Sequence, residues 1–358
     1  MKYIDASYIV IFMKKPKRLK PNDKIAIISP SWGGPSIFPH VYKKGLQNIE
    51  KYFKLIPIEY PTACMNADKL YQNPKLRAED INKAFENSEI KAIFISIGGE
   101  DSVRILPYLN KEKIINNPKI IMGYSDSSTF LTLINQWGLV TFNGPSIMAG
   151  FSQLESLPKE FINHIKTILF TNPMTYNYLP FSQWCEGYLD WAKEDNVGKT
   201  NPLKENVDQW HWVQGKGKFK GNLFGGCIEV LEFLKGTLFW PQNSWSNKIL
   251  FFETSEDVPT ISQIGYIIRN YGMQGIFDHI SGILFGRARD YSPEKKVELD
   301  KMLKRIIAEE FNHPEIPIIT NMDFGHTDPQ FILPLGIEAE IDCDLKTFKL
   351  LESPTTEE

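Results

Sequence analysis

Short apolar runs alternate along this chain with stretches whose apolar residues recur every three or four positions. The runs Lys24–Ser29, Leu55–Tyr60, Ile90–Ile97, Ile120–Met122 and Leu139–Phe142 each end at turn residues. Runs this short and this uniformly apolar predict strands buried on both faces. Between them, Tyr42, Leu46, Ile49 and Phe53 mark one face of a helix. Ala78, Ile81 and Phe85 mark a second helix that Pro74 opens, and a short helix is expected over Ser102–Leu109. Phe130, Leu131, Leu133 and Ile134 mark another, and a further helix ends near Phe170. Strands alternating with helices predict a parallel sheet covered on both faces.

Residues 171–220 break the pattern. They are polar and irregular, and they hold Trp184, Trp191, Trp210 and Trp212. A long loop in a compact protein is a functional lid or a linker. Its Trp side chains either stack on a flat ligand or pin the loop to the body. A second α/β pattern follows. Gly221–Gly226 leads into a helix with Ile228, Leu231 and Leu234 inward. Lys248–Phe252, Ile280–Phe285 and Ile316–Thr320 read as strands. Thr260–Tyr271 and a segment lined by Val297, Met302, Ile306 and Phe311 read as helices. Alternation through Ile337, Ala339 and Ile341, resumed at Phe348 and Leu350, predicts a terminal antiparallel hairpin. The expected organisation is an extension over 1–12, a first domain over 13–170, a lid over 171–220 and a second domain over 221–358.

Composition narrows the function. The chain has 358 residues, 42% of them hydrophobic, which suffices for two cores. A net charge of −3 gives no basic field for nucleic acid. The Lys14–Lys20 cluster reads as a solvated entry segment. No window approaches the ~20 apolar residues of a membrane span. Tyr8–Met13 lacks the charged start and cleavage site of a signal peptide. Cys64, Cys185, Cys227 and Cys343 stand far apart, which fits neither a disulfide scaffold nor a zinc site and suits a reducing cytoplasm.

The candidate chemistry sits at strand ends. After Ile120–Met122, Gly123-Tyr124-Ser125-Asp126-Ser127 leads into a helix. Strand, tight turn with Ser at its apex, then helix is the layout of a nucleophile elbow, although Ser127 stands where that motif has its second Gly. The plainer reading is a turn whose Ser125, Asp126 or Ser127 caps the helix. Gly98-Gly99 ends another strand and can bring a backbone N–H close to a ligand, or can be a plain turn. Acyl transfer by Ser needs a base and an orienting acid. Of six His, His164 on a predicted helix and His313 beside Pro314 suit surface roles. His326 follows a buried strand and a Gly, near Asn321, Asp323 and Asp328. Glu253 directly follows four apolar residues and so needs a partner, unless Glu253, Glu256 and Asp257 form an acidic helix start. A metal site built from Glu253, Asp323, His326 and Asp328 lacks a recognised ligand spacing.

Four motifs in order make the picture specific: Gly98-Gly99-Glu-Asp-Ser-Val-Arg104, Met122-Gly-Tyr-Ser125-Asp-Ser-Ser-Thr129, Phe252-Glu253 and Asn321-Met-Asp-Phe-Gly-His326-Thr-Asp-Pro329. Together they resemble the LD-carboxypeptidase family of serine peptidases, nearest its microcin C self-immunity branch. The resemblance implies a Rossmann-like or flavodoxin-like parallel-sheet N-terminal domain. It also implies a C-terminal swivelling α/β domain with a mixed, partly barrel-like sheet. Further implications are a catalytic triad of Ser125, His326 and Glu253, an oxyanion hole from the backbone N–H of Asp126 and of the Gly98-Gly99 turn, and a homodimer. No metal or organic cofactor is required. The implied substrate is a murein tetrapeptide or a small peptidyl-nucleotide. The Trp-rich lid favours the second, with Trp184, Trp191 and Trp210 as candidate contacts and Arg104 or Arg287 as candidate readers of the substrate carboxylate. A non-catalytic ligand-binding protein on the same scaffold is the alternative. A glutamine-amidotransferase-like enzyme would want Cys at the elbow.

Overall fold

Residues 13–242 and 245–357 are described by the computed structural model. The extension expected over 1–12 lies outside them. In the first domain, strands β1 (Lys24–Ile28), β2 (Ile56–Glu59), β3 (Ile90–Ile95), β4 (Ile120–Gly123) and β5 (Thr141–Asn143) run parallel, in the order β5-β4-β3-β1-β2. Successive strand residues face opposite ways. Ile25 and Ile27 pack with Tyr42, Ile49 and Phe53 of the helix Pro39–Phe53. Ala26 and Ile28 pack with Ala78, Ile81 and Phe85 of the helix Pro74–Glu86 on the other face. Both faces are therefore sealed, and ligand access is left to the carboxyl ends of the strands.

The lid segment supplies β6 (Tyr176–Tyr178), β7 (Gln183–Glu186), β8 (Lys204–Glu205) and β9 (His211–Gln214). The second domain supplies β10 (Lys218–Cys227), β11 (Lys248–Glu253), β12 (Ile280–Gly286), β13 (Ile318–Met322), β14 (Thr327–Asp328), β15 (Leu333–Leu335), β16 (Glu338–Asp342) and β17 (Thr347–Leu350). Its sheet is mixed and open, ordered β6-β17-β16-β10-β11-β12-β13-β9, so the expected partial barrel does not close. Both edge strands come from the segment read as an irregular lid. β15 crosses back to pair with β5, adding an antiparallel edge to the first sheet.

Three local expectations change. Gly221–Gly226 is not a lead-in loop but part of β10, the strand that joins the parallel and antiparallel parts of the second sheet. Its glycines are there for close approach: a Cβ on Gly225 would stand 1.8 Å from the Phe251 carbonyl oxygen, and one on Gly226 2.3 Å from Ser128 Oγ. His164 is buried rather than superficial. Its Nε2 accepts from the Ile332 N–H at 2.7 Å, and its Nδ1 meets the Tyr176 hydroxyl at 2.7 Å. Val297 faces solvent, because the buried stripe of its helix runs through Lys296, Leu299, Met302 and Leu303.

Candidate active site

Ser125 stands at the end of β4 with φ +59°, a left-handed conformation that is uncommon for a side-chain-bearing residue. A 3-10 turn, Ser125–Ser127, follows and runs into the helix Ser128–Gln136. The first N–H groups of such a turn have no acceptor inside it, so the Asp126 N–H is available to an anion beside Ser125. The elbow is packed from below: a Cβ on Gly123 would stand 2.7 Å from Ser127 Oγ. It is packed from the side too, since a Cβ on Gly98 would stand 3.0 Å from Ser125 Cβ. The Asp126 carboxylate is fully buried and takes Ser31 Oγ at 2.5 Å and the Ser102 N–H at 2.8 Å. Asp126 therefore ties the elbow to the loops after β1 and β3. The two domains meet here as well, because the Cys227 N–H at the end of β10 donates to Ser128 Oγ at 2.9 Å.

His326 arrives from the far side of the cleft, on the loop between β13 and β14. Its Nε2 is 3.0 Å from Ser125 Oγ, and its Nδ1 is 2.6 Å from Glu253 Oε2. Glu253 ends β11 and is fully buried. The Tyr124 ring packs edge-on against the imidazole at 5.0 Å. Residues 125, 253 and 326 thus form one hydrogen-bonded line across the domain boundary.

A fourth group touches this line. Glu256 Oε2 lies 3.0 Å from His326 Nε2, the same nitrogen that faces Ser125. The Glu256 side chain is 59% exposed, so it reaches inward from solvent. Burial alone would lower the His326 pKa; Glu253 and Glu256 outweigh it and raise it to about 10. The same contact with His326 holds the Glu256 carboxyl down at about 2. Glu256 was legible only as part of an acidic helix start.

The line opens into a cleft of about 630 Å³. One wall is aromatic: Trp32, Phe38, Tyr188 and Trp191. Trp191 meets Phe38 at 5.8 Å and Tyr188 at 5.5 Å between ring centres, and His40 Nε2 holds its carbonyl at 2.6 Å. The other wall is acidic, with Glu229, Glu256 and Asp257. Glu229 accepts from the Ser255 N–H and hydroxyl, at 3.0 and 2.8 Å, which fixes the loop that carries Glu256. Among the described residues, Arg289 is the one Lys or Arg lining this cleft.

The remaining sequence candidates divide. Gly98 and Gly99 line the cleft beside Ser125, as does Trp191. Trp184 does not line it. Trp184 is buried, with Arg287 at 4.4 Å and Lys296 at 4.8 Å from its ring. Trp210 does not line it either, because its Nε1 donates to Asp323 at 2.8 Å. Arg287 is consumed by the same carboxylate at 2.9 Å with both side chains fully buried. This Trp210–Asp323–Arg287 group anchors the lid to the stretch that leads into His326. Arg104 pairs with Asp101 at 2.8 Å, and Arg77 grips Asp101 in a two-point contact. Both arginines therefore brace the turn at Gly98-Gly99. Trp32, Arg289 and Glu229 were not singled out in the sequence. Trp32 sits in a Gly/Pro-rich loop at the end of β1, and that position at a sheet's rim was the available signal.

Comparison with known proteins finds matches to both halves of the chain. Residues 25–144 match the LD-carboxypeptidase N-terminal domain, and residues 220–341 match the LD-carboxypeptidase C-terminal domain. The chain is 29% identical over 283 residues to the microcin C7 self-immunity protein MccF of Escherichia coli, covering 78% of each. It is 25% identical over 336 residues to the "Probable murein peptide carboxypeptidase" of Bacillus subtilis, covering 93% of each. The solved structure of MccF in complex with aspartyl sulfamoyl adenosine is 25% identical, with a TM-score of 0.83, over 96% of this chain and 100% of that one. An MccF-like protein from Streptococcus pneumoniae in complex with AMP is 26% identical, with a TM-score of 0.80, over 92% and 98%.

Proposed function

This chain belongs to the LD-carboxypeptidase family, and we propose that it is a serine carboxypeptidase that hydrolyses an amide bond in a small peptidyl-nucleotide conjugate. The observation that carries this reading is the unbroken line from Ser125 Oγ through the His326 ring to Glu253 Oε2, at 3.0 and 2.6 Å. His326 Nε2 takes the Ser125 proton as Oγ attacks the carbonyl carbon. Glu253 holds Nδ1–H, fixes the tautomer and stabilises the imidazolium that forms. The tetrahedral oxyanion is received by backbone N–H groups of Asp126 and the Gly98-Gly99 turn. Loss of one such donor typically costs about 100- to 1,000-fold in rate. His326 then protonates the leaving amine, and water clears the acyl-enzyme by the same steps in reverse.

The nucleotide end of the substrate is supported by the aromatic wall. A flat base can stack on Trp32, Phe38, Tyr188 or Trp191, and such a contact is worth about 1–3 kcal/mol. Relatives of known structure hold aspartyl sulfamoyl adenosine and AMP. A murein tetrapeptide losing its terminal D-residue is the second reading, favoured by the Bacillus subtilis relative. Incubation with an aspartyl-adenylate amide and, separately, with a murein tetrapeptide tests the choice by mass spectrometry. Release of the nucleotide portion is expected. Cleavage of the tetrapeptide alone would replace this substrate with the other, and cleavage of neither would remove the hydrolase reading for both.

A further inference from the structure

Arg289 brings unspent donors into a cleft that is otherwise acidic. Its Nε donates to Asp290 Oδ2 at 3.1 Å. Among the described residues, neither Nη1 nor Nη2 has a hydrogen-bond partner, and Asp290 is the one carboxylate paired with this side chain. Arg104 and Arg287, by contrast, are paired with Asp101 and Asp323 and do not line the cleft. A guanidinium presents a planar fork of N–H groups and keeps its charge at any working pH. With Nε committed, the Nη1/Nη2 end remains. That end matches two oxygens of a carboxylate or of a phosphoryl group.

The chain around Arg289 holds the fork in place. The Asp290 N–H donates to Glu186 Oε2 at 3.0 Å, which ties the loop after β12 to β7 of the lid. A Cβ on Gly187 would stand 3.4 Å from Arg289 Nη2, so the guanidinium lies against the lid backbone. Its Cζ is 5.7 Å from the centre of the Tyr188 ring, and Tyr188 is 5.5 Å from Trp191. One cation thus stands at the end of the aromatic wall. The Arg289 side chain is 18% exposed, and partial removal from water strengthens a charge-assisted hydrogen bond. The opposite wall carries Glu229, Glu256 and Asp257 and repels an anion. An anionic group in this cleft therefore has one favourable place, beside Arg289.

We propose that Arg289 reads an oxyanion on the leaving half of the substrate, so that the enzyme cleaves amides whose amine side is acidic and passes over those whose amine side is neutral. This rests on the serine-hydrolase reading above. In both candidate substrates the atom bonded to the scissile nitrogen carries an acid. That atom is phosphorus in an aminoacyl-nucleotide amide and the α-carbon of the last residue in a peptide. The contact fixes which way round the substrate lies, with its acid at Arg289 and its scissile carbonyl at Ser125 Oγ. It makes no demand on the acyl half, whose amine can be free or acylated. Arg289 is a specificity residue for the leaving group.

Matched pairs of substrates test this. One pair is an aspartyl-adenylate amide and the same aminoacyl amide made on an adenosine amine that has no phosphoryl group. The other is a murein tetrapeptide and its C-terminal carboxamide. The wild type should prefer the acidic member of at least one pair by about tenfold or more in kcat/KM. Preference in the first pair assigns the fork to a phosphoryl group, and preference in the second assigns it to a carboxylate. Arg289→Gln should lose most of that preference through a higher KM for the acidic member, and Arg289→Lys should keep part of it. Equal wild-type rates within both pairs would overturn the inference while leaving the hydrolase reading intact. A loss in Arg289→Gln that falls equally on both members, or slower labelling of its Ser125 by a small uncharged fluorophosphonate, would make Arg289 a structural brace and overturn the inference too. No cleavage of any member and no labelling at Ser125 in the wild type would overturn both readings.

Discussion

Glu253 reaches His326 because Gly325 has no side chain. A Cβ at position 325 would stand 2.7 Å from Glu253 Cβ and 2.9 Å from Oε2, and the residue holds φ +99°. The carboxylate thus passes through the space that any other residue would fill on its way to the Nδ1 contact. Gly325→Ala should leave the fold intact at a cost of about 1–3 kcal/mol, because the strain is local. It should lower kcat/KM by about 100-fold or more by displacing the orienting acid. Thermal melts and steady-state rates on the aminoacyl amide check the two halves separately. Unchanged activity would mean that Glu253 does not orient the ring.

Two lid tryptophans should behave oppositely. Trp191 lines the cleft, whereas Trp184 is packed among Arg287, Lys296 and Lys204. Trp191→Ala should raise KM for a nucleotide conjugate by about 5- to 150-fold, the equivalent of a 1–3 kcal/mol stack, with little change in melting temperature. Trp184→Ala should lower stability by about 3 kcal/mol and leave KM near its original value. Denaturant titration beside substrate kinetics distinguishes the two. A reversal of these effects would move the base-binding wall elsewhere.

His164 gives the fold a pH dependence. Burial drives its pKa down to about 3 from an ordinary 6.5. Below pH 6.5 the unfolded chain therefore binds a proton that the folded chain refuses. The stability of the neutral ring is fully present above pH 6.5 and is lost as pH falls toward 3, at up to about 1.4 kcal/mol per unit. His164→Gln can keep an acceptor for the Ile332 N–H and has nothing to titrate. Its stability should be lower at pH 7.5 by about 1–3 kcal/mol and fall less steeply below pH 6.5. Urea midpoints at pH 7.5, 6 and 5 measure this, and equal slopes in the two proteins would assign the acid sensitivity to other groups.

Much of the site was legible because its parts follow buried strands. Ser125, Glu253 and His326 each come after an apolar run, so their places at sheet ends followed from patterning alone. β10 was missed because Gly221, Gly225 and Gly226 read as a loop, whereas they admit the Asn247 backbone, the Phe251 backbone and the elbow helix in turn. The lid tryptophans carried no mark of direction. Whether an indole faces a cleft or a cluster of cations depends on β7 pairing with β14, a contact between residues more than 140 apart in the chain. The carboxylate reader was sought at Arg104 and Arg287, yet both are paired with aspartates, and Arg289 lines the cleft instead. Glu256 looked like a helix-start acid because nothing in its neighbourhood of the sequence names His326, which lies 70 residues on.

Mapping the covalent adduct formed by a fluorophosphonate tests the central claim most directly. Intact-mass and peptide analysis should find one adduct, on the peptide that contains Ser125, and the Ser125→Ala protein should form none and hydrolyse no aminoacyl amide. An adduct on another residue, or full hydrolysis by Ser125→Ala, would contradict the assignment of Ser125, His326 and Glu253 as the reacting unit.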